Sequence, residues 1–272
     1  MSLGHKRFGS RLLVKLTCLM VLLPLALSSP KALTSDSQSV RIATFAWPQR
    51  TELNGTGAYF EILRRIFTAH NLTLNIQYRS IHDSLGALYR EETDMMLVEW
   101  HPDILAADPK VKHKLILAPR FPLDTEQVVA VSKANQALSW QEILDTPSHH
   151  IAWIADYNYH YFFDLPEHPT TMVKSTAHGL TLVERGRIDS YLDDFSDVEI
   201  AFAEEQFSPA NFYLEIVQER NLYPLFNHLS EERGLLKIYD QGMQKLLREG
   251  ELKEIFESYS LSFERIRFPE EK

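Results

Sequence analysis

Three side chains stand where a small molecule is held in many α/β proteins. Trp47 lies just past a first apolar stretch, and Glu99 and Trp100 follow directly on a third. Sites in open α/β sheets form outside the carboxyl ends of strands, so residues at such ends are the first candidates. An aromatic face there can stack on a ligand or lie over a cation. A carboxylate there can face the cleft, or simply cap a turn or pair at the surface. Trp47 likewise either meets a ligand or packs its own loop. A second group, His149, His150, His160 and His168, brings metal to mind, but its spacing fits no standard ligand set and no helix aligns it. No Gly-x-Ser-x-Gly elbow, phosphate loop or His-Glu-x-x-His occurs in the chain. The residues therefore predict neither a metal nor another cofactor.

The elements that position these residues read as an alternation. Val40 to Phe45 alternates apolar and polar residues, a strand signal, and Asn54-Gly55-Thr56-Gly57 is a turn. Tyr59, Ile62, Leu63, Ile66 and Phe67 then mark one face of a helix. Leu72 to Tyr78 reads as a strand, Ile81 to Arg90 as a short helix, and Met95 to Val98 as a buried strand. Strand and helix in alternation give a parallel α/β sheet. A second unit follows: strands at Glu126 to Val131, His150 to Ile154 and Ser190 to Leu192, with helices at Trp140 to Leu144 and near Ala177 to Glu184. Phe212 to Gln218 reads as a strand returning to the first unit. Ser230 to Tyr259 is helical, divided at Gly250.

The amino terminus and the charge bound the setting. Residues 1–28 carry Lys6, Arg7, Arg11 and Lys15, no acid, and an apolar run from Leu16 to Leu27. That is the layout of a secretory signal peptide, and the run is too short to cross a bilayer. Cys18, the single cysteine, sits early in that run, where a lipoprotein cysteine would not. Its removal leaves no thiol for disulfides, catalysis or metal. The whole chain carries a net charge of −9, and loss of the basic leader makes the remainder still more acidic. Such a surface repels phosphate backbones and excludes nucleic acid as a natural partner.

Four local patterns, in order, resemble the bacterial extracellular solute-binding proteins of family 3, typified by amino-acid receptors of ABC importers. The first is Thr44-Phe45-Ala46-Trp47-Pro48 ahead of Gly57-Ala58-Tyr59-Phe60-Glu61-Ile62-Leu63, with Glu61 where aspartate is usual. The second is the turn and buried strand within Leu88 to Leu97; Asp94 matches, while Glu91 stands in place of a glycine. The third, Gly186-Arg187-Ile188-Asp189-Ser190-Tyr191-Leu192-Asp193-Asp194, is the most specific. The fourth runs from Leu247 through Gly250 to Tyr259.

The resemblance implies a type II periplasmic binding protein fold: two α/β lobes, each a sheet flanked by helices, joined by two crossover strands. It implies a signal peptide over 1–28, a flexible leader over 29–37, a first lobe from 38–124 and 212–267, and a second lobe from 125–211. The crossings are expected near Asp124 to Gln127 and near Ser208 to Phe212. It implies that Asp194 takes a ligand's ammonium, with Asp193 as the alternative. The family's carboxylate-clamping arginine is missing from Glu99 to Leu105, and an acidic, aromatic stretch including Asp156 and Tyr157 replaces its Gly-Thr-Thr. A cation-binding half without an anion-binding half suits an amine. The expected function is capture of a small polar solute in the periplasm by a monomer, for a membrane permease or sensor. The rival is an exported lyase or dehydratase using Glu99 or Asp194 as acid or base.

Overall fold

A computed structural model describes residues 38–269 apart from 101–115, 158, 164, 166 and 205–206, with backbone alone at 98–100, 156 and 161. The expected leader and Cys18 lie outside these residues. The first half of the sheet is built from β1 (Ser39–Thr44), β2 (Thr73–Tyr78) and β3 (Met95–Trp100), with β1 parallel to both neighbours. α1 (Ala58–Thr68) and α2 (Ile81–Tyr89) make the crossovers. The short β4 (Ile116–Leu117) pairs antiparallel with β9 (Phe212–Asn227). The second half contains β5 (Asp124–Lys133), β6 (Ile151–Ile154), β7 (Thr170–Val173) and β8 (Ser190–Asp194), with β6 parallel to β7 and β8. Strand order through both halves is β2-β1-β3-β9-β5-β8-β6-β7.

Helices cover this sheet because their apolar stripes have nowhere else to go. Tyr59, Ile62, Leu63, Ile66 and Phe67 of α1 are buried as their helical spacing requires. α1 packs on α7 (Leu235–Glu249) and α8 (Glu251–Ser258), burying Tyr239, Met243, Ile255 and Phe256. The Gly250 break is real: its φ of 79° is left-handed, which ends α7 and starts α8 at little steric cost. α6 (His228–Glu232) precedes them, capped by Asn227. In the second half α3 (Trp140–Asp145) opens with a Ser139–Glu142 capping box, α4 (Thr176–Glu184) with Ser175 as N-cap, and α5 (Phe195–Ala203) with Asp194.

Among the described residues, two strands carry the sheet from one half to the other. Asp124 to Gln127 of β5 pair only with Leu222 to Glu219 of β9; β8 joins β5 at Val128, and β3 joins β9 at Leu222. The fold is thus two-lobed with a two-stranded ribbon between the lobes, as in hinged closure. The second crossing lies at Glu219 to Asn221, further along than Ser208 to Phe212. The polar run Gln218-Glu219-Arg220-Asn221 breaks the apolar pattern and resembles a strand end, but it is the ribbon itself, with Glu219 exposed and Arg220 half-buried over the Phe162 ring. No helix of the described residues is long and apolar enough to cross a membrane.

Candidate functional site

The loop after β1 and the start of α5 meet between the lobes. The loop folds back on itself: Trp47 bridges to Thr51, and the Ala58 N–H donates to the Gln49 carbonyl at 2.9 Å. Gly57 permits this at a φ of 120°, since a Cβ there would meet the Arg50 carbonyl oxygen at 2.3 Å. The outcome is a stacked pair, with the Arg50 guanidinium 4.2 Å from the Trp47 ring centroid.

Both members of that pair reach across to the second lobe. The Trp47 indole N–H donates to Asp197 Oδ1 at 2.8 Å, and Arg50 Nη2 donates to Ser196 Oγ at 2.7 Å. Arg50 Nε also faces Asp124 Oδ2 at 3.3 Å and the Tyr59 hydroxyl at 3.2 Å, while Tyr59 donates to the same carboxylate oxygen at 2.7 Å. From the second lobe, Tyr157 donates to Asp197 Oδ2 at 3.1 Å. Asp194 caps α5 by accepting from the Ser196 N–H at 2.8 Å and from its hydroxyl. Asp193 accepts from Thr176 at 2.7 Å and from the Tyr191 hydroxyl.

Burial controls the charge here. Burial, then repulsion from Asp194, pushes Asp197 up to about 6. Burial and the neighbouring Asp197 charge raise Asp193 well above the usual carboxylate range. Asp124 is raised too, since burial outweighs its Arg50 and Tyr59 partners. Burial opposes the charge on Arg50, but Tyr59, Asp124, Asp194 and Asp197 together raise it and keep it protonated. Perturbed carboxylates gathered in one cleft are candidates for a functional site.

Two cavities flank the Trp47–Arg50 pair. The larger, about 380 Å³, is walled by Phe45, Trp47 and Ile81 from the first lobe and by Tyr157, Thr176 and Asp197 from the second. That size and mixed lining suit a small ligand. The smaller, about 230 Å³, is lined by Arg50, Asp124, Asp194, Ser196 and Arg265. We take the larger as the candidate ligand cavity, because aromatic faces from both lobes close on it.

Of the residues singled out in the sequence, Trp47 and Tyr157 meet on Asp197, and Asp194 lies on the other side of the stacked pair. Glu99 and Trp100 extend β3 opposite Tyr223 and Leu222, and Asp156 sits in a 3-10 turn; their side chains lie outside the described residues. The remainder of Glu99 to Leu105, the segment that lacks the clamping arginine, lies outside them as well. The histidine rings take separate partners: His149 faces Asp189 at 3.5 Å, His150 meets Thr171 at 2.7 Å, and His168 contacts the His149 carbonyl at 3.2 Å. Among the described residues no group of three metal-binding side chains forms. Sequence reading missed Arg50, Asp124 as a site residue, Ser196 and Asp197. The signal for Asp197 was available in Asp194-Phe195-Ser196-Asp197, an aspartate at an N-cap followed by another three residues on, which opens a helix.

No protein-family model and no curated protein matches the chain. Solved structures do. EhuB in complex with hydroxyectoine superposes with a TM-score of 0.65 at 20% identity, over 84% of this chain and 90% of that one. A histidine kinase sensor domain, described as similar to periplasmic binding proteins, gives 0.65 at 13% identity over 82% and 96%. An ancestral amino acid-binding protein, described as a precursor of cyclohexadienyl dehydratase, gives 0.61 at 15% identity over 82% and 96%. At such identities the likeness establishes the fold, that of the two-lobed solute-binding proteins.

Proposed function

We propose that this chain is an exported, monomeric solute-binding protein that captures a small polar molecule between its lobes and presents it to a membrane permease or sensor. The observation that carries the reading is the cavity of about 380 Å³ closed by Trp47 from one lobe and Tyr157 from the other, both hydrogen-bonded to Asp197. A ligand there contacts both lobes at once and so favours the closed form over the open one. The solute-binding and sensor proteins of the same fold support the reading.

A thermal-shift screen over organic acids, amino acids, polyols and amines tests it, since a ligand that binds only the folded state raises the melting temperature. At least one class should stabilise the protein, and Trp47→Ala should weaken that solute about tenfold or more. A screen in which nothing shifts, or a hit indifferent to Trp47→Ala, would overturn the site.

One observation favours the second reading, an exported lyase or dehydratase. Asp197 lines the cavity with its carboxyl pushed up to about 6, a range suited to a general acid. Recovering the stabilising solute after long incubation separates the two. Unchanged solute supports binding alone, and a product whose formation stops in Asp197→Asn supports catalysis.

A further inference from the structure

We infer that Arg50 is a specificity-determining residue: a tethered cation among the acids between the lobes, so that the smaller cavity, which it lines beside the candidate ligand cavity, takes neutral or acidic groups of a solute and turns cationic ones away. This deepens the solute-binding reading and rests on it for the identity of the cleft.

The argument begins with supply and demand for charge. Asp124, Asp194 and Asp197 are all nearly solvent-free, and all three act on the Arg50 guanidinium. A buried carboxylate needs a charge partner or several donors. Arg50 supplies the charge partner, with Nε toward Asp124, Nη2 to Ser196 at the first turn of α5, and its face on Trp47. It is itself 4% exposed, held by its own loop through Gly57. A cationic group approaching these aspartates therefore meets a guanidinium already in place. It must either displace Arg50 from Trp47, Tyr59, Asp124 and Ser196 or stand beside it at like-charge cost.

A second observation fixes the opposite preference. Arg50 Nη1 is buried and has no hydrogen-bond partner among the described residues, an arrangement that costs free energy until an acceptor arrives. The site thus offers an unused donor, beside carboxylates whose charge already faces that guanidinium. Asp197 and Asp193 are engaged by Trp47, Tyr157, Thr176 and Tyr191, and Asp194 by Ser196.

Removing the tether should invert the preference. In Arg50→Ala the aspartates lose their cation, and methylguanidinium can enter in its place. Thermal unfolding is followed for wild type and Arg50→Ala against methylguanidinium chloride, with sodium chloride at equal ionic strength as control. The expected result is a saturable rise in melting temperature for Arg50→Ala alone, with binding at least tenfold tighter than to wild type. A variant that merely tracks the wild type would overturn the inference. Should Arg50→Ala fold in neither salt, calorimetric titration of wild type with methylguanidinium decides instead: no binding supports the tether, and saturable binding refutes it. The two readings fail separately. Rescue of Arg50→Ala with no solute found for wild type would keep the tether and sink the solute-binding function. A wild type that binds amines in the cavity lined by Arg50 would keep the function and sink the tether.

Discussion

Two buried acidic sites in this molecule are built on opposite plans. Asp94, fully buried ahead of β3, receives the Arg41 N–H at 2.8 Å, Arg41 Nη2 at 2.8 Å and Arg233 Nη1 at 2.8 Å. One carboxylate thus has two arginines, all within the first lobe. Between the lobes the ratio reverses, with Asp124, Asp194 and Asp197 around Arg50. The consequences follow. Burial pulls Asp94 upward, but its arginine donors outweigh that and hold it below the ordinary value, whereas Asp197 is pushed up to about 6. An over-supplied carboxylate is a rivet; under-supplied ones, placed where two lobes part, are poised to respond to what enters.

The largest expected effect comes from breaking the rivet. Asp94→Ala leaves two arginines facing each other across β1 and α6 with nothing between them. Deleting one partner of a buried ion pair costs about 3–5 kcal/mol. Because the arginine side chains are 26% and 28% exposed, water relieves part of this, and the lower end is expected. Urea unfolding measures it. A loss below about 1 kcal/mol would erase the distinction between the two sites.

Next comes pH, where the sites should pull in opposite directions. Asp94, lowered in the folded state, contributes stability that is present above the unfolded carboxylate pKa and lost as pH falls through its folded value. Asp197, raised from 3.8 to about 6, does the reverse: the folded state holds its proton more tightly, and that contribution fades as pH rises from about 4 through 6. Asp193 and Asp124, also raised, act in the same direction. For Asp197 the amount is on the order of 2–3 kcal/mol. Asp197→Asn keeps an acceptor for Trp47 but cannot titrate, so its urea midpoint should fall less between pH 4.5 and 7.5 than that of wild type. Parallel profiles would show that Asp197 ionises freely in the folded protein.

The contrast also explains what could be read from sequence. The Asp94 rivet sits within a local pattern, a turn followed by a buried strand, and even its departure is intelligible: Glu91 takes the left-handed φ of 58° that a glycine adopts more easily. Strands and helices with clean periodicity, such as β1, α1 and α4, were legible for the same reason. β7 and α5 were not. β7 is only four residues, mostly exposed, and α5 mixes Phe195, Val198, Ile200 and Phe202 with acids and no clear polar face. The site depended on long-range juxtaposition: Arg50 meets Ser196 146 residues away, and Trp47 meets Asp197 150 away. No local pattern announces a buried arginine whose partners lie on the other lobe.

The smallest effect concerns a third kind of contact, an exposed one between the lobes. The tail after α8 lies along the ribbon, where the Arg267 N–H donates to Thr125 Oγ1 at 2.9 Å and Asn221 Nδ2 to the Arg267 carbonyl at 3.0 Å. From that anchorage Arg265 reaches α5, pairing with Glu199 at 2.8 Å and lying 4.8 Å from the Phe195 ring centroid. The pair therefore spans the same lobes as Arg50 and Ser196, but in water: its side chains are 24% and 49% exposed. Solvent screening limits such a pair to roughly 0–1 kcal/mol, with a modest addition from the ring. Arg265→Ala should thus lower urea stability by less than about 1 kcal/mol, and salt should shrink the difference, because exposed pairs are screened. A salt-independent loss above about 2 kcal/mol would mean that the tail, and not the buried Trp47–Arg50 pair, is the principal tie between the lobes.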